Sequence, residues 1–349
     1  MSSQWRKAPA ERRVRDNMEK KSLWKKISGS REASLLIVLI ILCVVVEVRS
    51  PSFLSPTNIL DMLKNNAVIM IMSLGMLCVL LIGGIDISIT STLALAGMSV
   101  GMLIKYGFVS NTFLGFMIAI AIGAVCGLIL GLIIAQGRVA PIIATMGGMY
   151  IYRGLAYLVA NSQWAGADAL GTFKDFALQN YLGFGLLNNV LVIVLLCYII
   201  FFVVLKWTKF GRNIYAVGSN PEAAEISGIH VVRVKLAVYT IMGLLAGMCG
   251  ALATTIYASA QPNMQQGKEM DVIAACVIGG TSMSGGRGSV GGALLGALIL
   301  SVISRALPLV GIDAIAQNTV KGVIILVVIV LNVITQRMMD KQNLERREM

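Results

Sequence analysis

Nine stretches of the chain, at about 33–50, 60–82, 88–104, 113–136, 139–160, 188–207, 235–258, 288–307 and 316–335, are apolar over a length that crosses or nearly crosses a bilayer. Spanning ~30 Å of hydrocarbon takes about 20 helical residues. Backbone in lipid must satisfy its own polar groups, so such stretches fold as helices. A tenth apolar piece, 270–283, is shorter, and counting it as a crossing makes ten. Composition agrees: 57% of residues are hydrophobic and only 13% charged, where a soluble domain carries about a quarter charged. A soluble enzyme, a secreted disulfide scaffold and a nucleic-acid-binding domain are excluded. The expected fold is an all-α polytopic membrane protein of about ten transmembrane segments in two similar halves.

The net charge of +12 is a matter of topology. Residues 1–34 hold ten of the 29 Lys and Arg, and further clusters lie at 206–235 (Lys206, Lys209, Arg212, Arg233, Lys235) and in the tail (Arg337, Lys341, Arg346, Arg347). Cations gathered between apolar stretches mark cytoplasmic loops. Ten crossings place all three clusters on one face with both termini cytoplasmic; nine or eleven would strand one. The expected organisation is a basic cytoplasmic segment 1–34, a membrane domain 35–335 and a cytoplasmic tail 336–349. The polar start precedes any apolar stretch, so the first hydrophobic segment is expected to stay as an anchor. The six cysteines fall inside apolar runs with no C-x-x-C pair and read as packing residues, and lone His230 makes no metal site by itself.

Glycine interrupts two of these stretches. Ile82-Gly83-Gly84-Ile85-Asp86-Ile87-Ser88 and Ile278-Gly279-Gly280-Thr281-Ser282-Met283-Ser284 both begin Ile-Gly-Gly, place Ser six residues after that Ile and lie 196 residues apart. Non-helical backbone at membrane depth is tolerated where it is buried in protein or lines a cavity, and broken segments in corresponding positions point to a transport site. The bland alternative is a pair of hairpin turns near the membrane surface. Asp86 sits among Leu81, Ile82, Ile85, Ile87 and Ile89 and needs a cavity or a partner. It reads either as an acceptor for a polyol or, with Ser88, as the cap of the helix that follows. Asp86, Ser88, Asn65 and Asn66 are the candidate pathway residues; Gly83, Gly84, Gly279 and Gly280 form the breaks. Arg153 lies mid-segment and must find a partner or water.

The loop 208–233 carries its own helix signals. Asn220 suits an N-cap, Pro221 the first helical position, Glu222 the helix dipole and Gly228 a left-handed end. They predict a two-turn helix over 221–227, too short to stand without a surface to lie on. Ala223, Ala224 and Ile226 let a groove close around it, while Glu222 and Glu225 offer charge.

This loop, with Gly211-Arg212-Asn213, Ala216-Val217-Gly218-Ser219-Asn220-Pro221-Glu222-Ala223-Ala224 and Ser227-Gly228-Ile229, resembles the coupling loop of bacterial ABC sugar permeases, the membrane subunits of ribose, galactose, arabinose and xylose importers. The resemblance runs from about 50 to 335. It extends to Asp271–Gly280 with Gly285, Gly286 and Gly288, to Gly84–Ser88, and to Thr145-Met146-Gly147 with Arg153–Tyr157. It implies a bacterial plasma-membrane permease, paired with a second and usually identical copy. Two ATP-binding-cassette ATPase subunits would dock inside, and one extracytoplasmic substrate-binding protein outside. Gly211, Arg212, Asn220, Pro221, Glu222, Ala223, Ala224 and Gly228 would form the ATPase-coupling site. The chain has no G-x-x-x-x-G-K-[ST] loop, so no cofactor is expected on it and ATP would be used by the partner. The expected function is translocation of a monosaccharide or similar small polyol, with no enzyme activity on this chain. An ion-driven secondary transporter, and a permease of the same superfamily for amino acids or another solute, stand as alternatives.

Overall fold

The computed structural model describes residues 31–177, 179 and 188–309, and positions 311, 313, 316–317, 319–323, 326–327 and 330 beyond them. Most of the basic N-terminal segment and all of the tail lie outside the described residues. The chain forms helices α1 (Arg31–Arg49), α2 (Pro56–Leu81), α3 (Ile89–Lys105), α4 (Thr112–Ala135) and α5 (Pro141–Ala160), then a short 3-10 turn, Gly171–Ala177. After it come α6 (Asn189–Trp207), α7 (Lys209–Ser219), α8 (Pro221–Ile226), α9 (Val231–Ile256), α10 (Lys268–Ile278) and α11 (Val290–Leu309). An isolated antiparallel bridge joins Ala165 and Ala260.

Six of these helices, α2, α4, α5, α6, α9 and α11, are long and apolar enough to cross a membrane, and α3 is a shorter apolar helix. The apolar run of α1 lies between Glu32 and Glu47. The piece expected near 270–283 is a half-length helix, α10, that ends at the second glycine break. The chain is an all-helical polytopic membrane protein.

α2 stands at the centre. Every residue from Ala67 to Leu81 is buried, because α6, α7, α9, α10 and α11 pack around it. A helix buried on all sides has no polar stripe; its inward Ser73 hydroxyl donates to the Met70 carbonyl at 2.7 Å and lies 3.1 Å from the Tyr198 hydroxyl. The closest packing is between α4 and α9. A Cβ on Gly123 would collide with the Gly243 carbonyl, one on Gly127 with the Tyr239 carbonyl, and one on Gly247 with the Ala119 carbonyl. Small residues let membrane helices approach backbone to backbone, where dispersion contacts replace the missing hydrophobic drive. The outer faces of α4, α5 and α6 remain apolar and exposed.

One element was not expected. The segment 209–219 reads as loop in the sequence but forms α7, with the Thr208 hydroxyl capping it by accepting from Gly211 N at 3.1 Å.

Candidate functional site: the corner of the glycine breaks and helix α8

Both breaks are built the same way. At the first, Gly83 N donates to Leu80 O and Gly84 N to Val79 O, each at 2.9 Å. At the second, Gly280 N donates to Val277 O and Thr281 N to Cys276 O, again at 2.9 Å. This paired 5→2 and 6→1 pattern is a Schellman ending, which needs a left-handed residue in its middle. Gly83 (φ 74°) and Gly280 (φ 95°) supply it. The structural match is therefore Ile82-Gly83 with Gly279-Gly280, one residue off the Ile-Gly-Gly alignment seen in the sequence.

The two breaks meet. Gly286 N donates to the Leu81 carbonyl at 2.9 Å. The end of α7 closes over the same carbonyl: a Cβ on Gly218 would collide with Leu81 O, and one on Gly286 would lie 2.6 Å from Ser219 Oγ. Tyr215 adds a hydroxyl bond to Gly288 O at 2.9 Å. Ser219, Ser282, Ser284 and Arg287 line a polar cavity of about 350 Å³ beside this junction.

Helix α8 leaves the junction as its sequence foretells. The Asn220 side chain accepts from Ala223 N at 3.0 Å, and Pro221 opens the helix. Gly228 (φ 82°) closes it, with Gly228 N donating to Glu225 O and Ile229 N to Ala224 O. Its faces differ from the expectation on one point. Ala224 is 4% exposed and packs inside the chain's own core, so it offers nothing to a groove. Glu222, Ala223 and Glu225 are exposed, and Ile226 is 89% exposed. Of the other residues expected at the coupling site, Arg212, Asn220, Pro221 and Gly228 are exposed, while Gly211 is buried against the backbone of Val204 and Leu205.

Asp86 is 2% exposed. Its Oδ1 accepts from Ser88 N at 2.9 Å and from Ser88 Oγ at 2.6 Å, which folds 86–88 into a tight turn leading into α3. Ser88 makes no side-chain cap bond to that helix, so the carboxylate shapes the turn and neither residue caps α3 through its own side chain. The Ile85 carbonyl accepts from the Thr145 hydroxyl of α5 at 3.4 Å.

Asn65 and Asn66 are not brought to this corner. They lie sixteen and fifteen residues before Leu81 on α2, a separation of about 24 Å at ~1.5 Å per residue. Asn66 donates to the Met62 carbonyl at 2.9 Å, and Asn65 is exposed. Arg153 finds its partners in backbone that no sequence signal linked to it: the carbonyls of Pro262 at 2.7 Å and Met264 at 3.1 Å, and the Thr90 hydroxyl at 3.3 Å. The same Thr90 hydroxyl donates to Glu269 at 2.7 Å, tying α3, α5 and α10 together.

Residues 58–332 match the family described as branched-chain amino acid transport system / permease component. The ribose import permease protein of Bacillus subtilis (strain 168) is 40% identical over 297 residues, covering 84% of this chain and 90% of that protein. The galactose/methyl galactoside import permease protein of Escherichia coli (strain K12) is 34% identical and covers 86% and 94%. The L-arabinose ABC transporter permease protein of Azospirillum brasilense is 30% identical and covers 89% of each. No solved structure matches the chain.

Proposed function

Since the chain belongs to the family of permease components of branched-chain amino acid transport systems, we propose that it is the translocation subunit of an ATP-driven importer for a monosaccharide, working in a bacterial inner membrane. The relatives named for ribose, galactose and arabinose support a sugar over an amino acid. ATP is hydrolysed on separate ATPase subunits, an extracytoplasmic binding protein delivers the sugar, and a second permease copy completes the pathway. The α7–α8 end faces the cytoplasm.

The observation that carries this reading is the two-sidedness of α8. Its outer side presents Glu222, Glu225 and Ile226, while Ala224 is buried in the chain's own core and the end of α7, which runs straight into α8, closes over the junction of both breaks. An apolar side chain exposed at the tip of a two-turn helix suits insertion into a partner's groove. A partner that binds α8 differently before and after ATP hydrolysis shifts the permease between its two access states, because only differential binding moves an equilibrium. The ATPase moves α8, α8 moves the junction, and the breaks change which side of the membrane the pathway meets.

The test is a pull-down of the tagged full chain from mild detergent, with the ATPase identified by mass spectrometry. Wild type is expected to recover an ABC ATPase subunit, and Glu222→Arg/Ile226→Arg, which alters exposed positions alone, to lose it. Sugar uptake by the same cells is expected to stop on ATP depletion and to survive an uncoupler. A folded wild-type chain that recovers no ATPase, with uptake abolished by the uncoupler, would sink the reading in favour of an ion-driven carrier.

A further inference from the structure

At the end of α9, far from α8, residues 257–268 line an open concavity of about 470 Å³, a volume within the range of small-molecule sites. Tyr257, Gln261, Asn263, Gln265, Gln266 and Lys268 line it. We propose that this loop is a preformed subsite for a neutral polyhydroxylated solute at the outer mouth of the pathway; the inference rests on the transport reading above.

The chemistry of the lining selects the ligand class. Gln261 and Gln265 each spend an N–H within the loop, on Ser259 Oγ at 3.1 Å and on the Tyr257 hydroxyl at 3.2 Å. A side-chain amide still carries a second N–H and a carbonyl acceptor, the complement of a hydroxyl that both donates and accepts. No carboxylate lines the cavity, and its one lining cation, Lys268, has Nζ 3.2 Å from Asp271 Oδ2 in a cluster that also holds Lys321. A zwitterion would find no lining carboxylate here for its cationic group. Tyr257 is exposed at the rim and offers a ring face for the apolar side of a sugar.

The loop is held in place. Ala258 (φ 47°) and Gln265 (φ 53°) occupy the left-handed region without being glycine, a conformation that persists when surrounding structure over-determines it and that clusters at ligand clamps. The over-determination is visible. Ala260 and Ala165 exchange backbone bonds at 2.9 and 3.2 Å, and Arg153 holds the carbonyls of Pro262 and Met264. Gln265 Nε2 donates to the Tyr257 hydroxyl at 3.2 Å, and that hydroxyl reaches the Asn65 carbonyl at 3.4 Å. A site ordered in advance loses less entropy on binding. Asn65, singled out in the sequence for the pathway, thus touches this site through its backbone.

The test uses the full chain in lipid nanodiscs with Asn263→Cys, an exposed position, and times its reaction with a maleimide against wild type as background. D-ribose, L-arabinose and D-galactose are added singly in large excess, and betaine at the same concentration serves as the zwitterion control. At least one sugar is expected to slow labelling several-fold, betaine to leave it unchanged, and Gln261→Leu/Gln266→Leu to remove the protection. A rate that no sugar alters, or that betaine alters equally, overturns the subsite. If that result comes from a chain that supports ATP-dependent sugar uptake, the transport reading stands and the subsite alone falls; absence of such uptake is the separate failure of the reading.

Discussion

The Ser88 hydroxyl is buried and donates to Asp86 at 2.6 Å, so the turn into α3 depends on one acceptor atom. Asp86→Ala leaves that hydroxyl and the Ser88 N–H without the partner they have, at a cost of about 1–3 kcal/mol for a buried unsatisfied group. Asp86→Asn keeps an amide oxygen where Oδ1 now stands. The alanine variant is therefore expected to melt earlier in detergent and to import poorly, and the asparagine variant to retain both stability and most uptake. Stable Asp86→Asn protein that imports nothing would assign the charge itself to the pathway. Sequence alone left capping and substrate contact equally open here, because both need a carboxylate near a helix start. What it could not supply is the burial, because the groups packed beside this turn, Thr145 of α5 against the Ile85 carbonyl and the Tyr239 hydroxyl of α9 against Gly84, come from far along the chain.

At the scale of elements, the α4–α9 seam separates glycines that pack from glycines that do not. Gly247→Ala drives a methyl into the Ala119 carbonyl, and overpacking of this kind costs about 1–3 kcal/mol. Gly154→Ala on α5 meets nothing within 4 Å and gains helix propensity of about 1 kcal/mol. Thermal scans of the solubilised chain are expected to move in opposite directions for the two. The helix boundaries themselves were legible, since apolar run length and caps such as Asn220, Pro221 and Gly228 are local signals. α7 was not: Gly211 and Gly218 are poor helix formers, and both are glycine because α7 touches the backbone of α6 and α2. The 257–267 loop was equally silent, as its shape is imposed by Arg153 and Ala165 about a hundred residues away.

Across the whole molecule, five of the six cysteines are buried and Cys43 alone is half-exposed. Folded protein is expected to take up maleimide at Cys43 only, with the other five reacting after denaturation in detergent; early labelling of Cys249 or Cys276 would contradict the packing around α2. The junction at Leu81 has a mechanical meaning as well. Where side chains mediate contact, a displacement is partly absorbed by rotamer changes. At Gly218 and Gly285 the contact is peptide against peptide, and Gly286 N is bonded directly to the Leu81 carbonyl, with no rotamers to yield. A movement of α7 therefore arrives at both breaks nearly undiminished and at the same instant, so the corner behaves as a stiff lever rather than a spring.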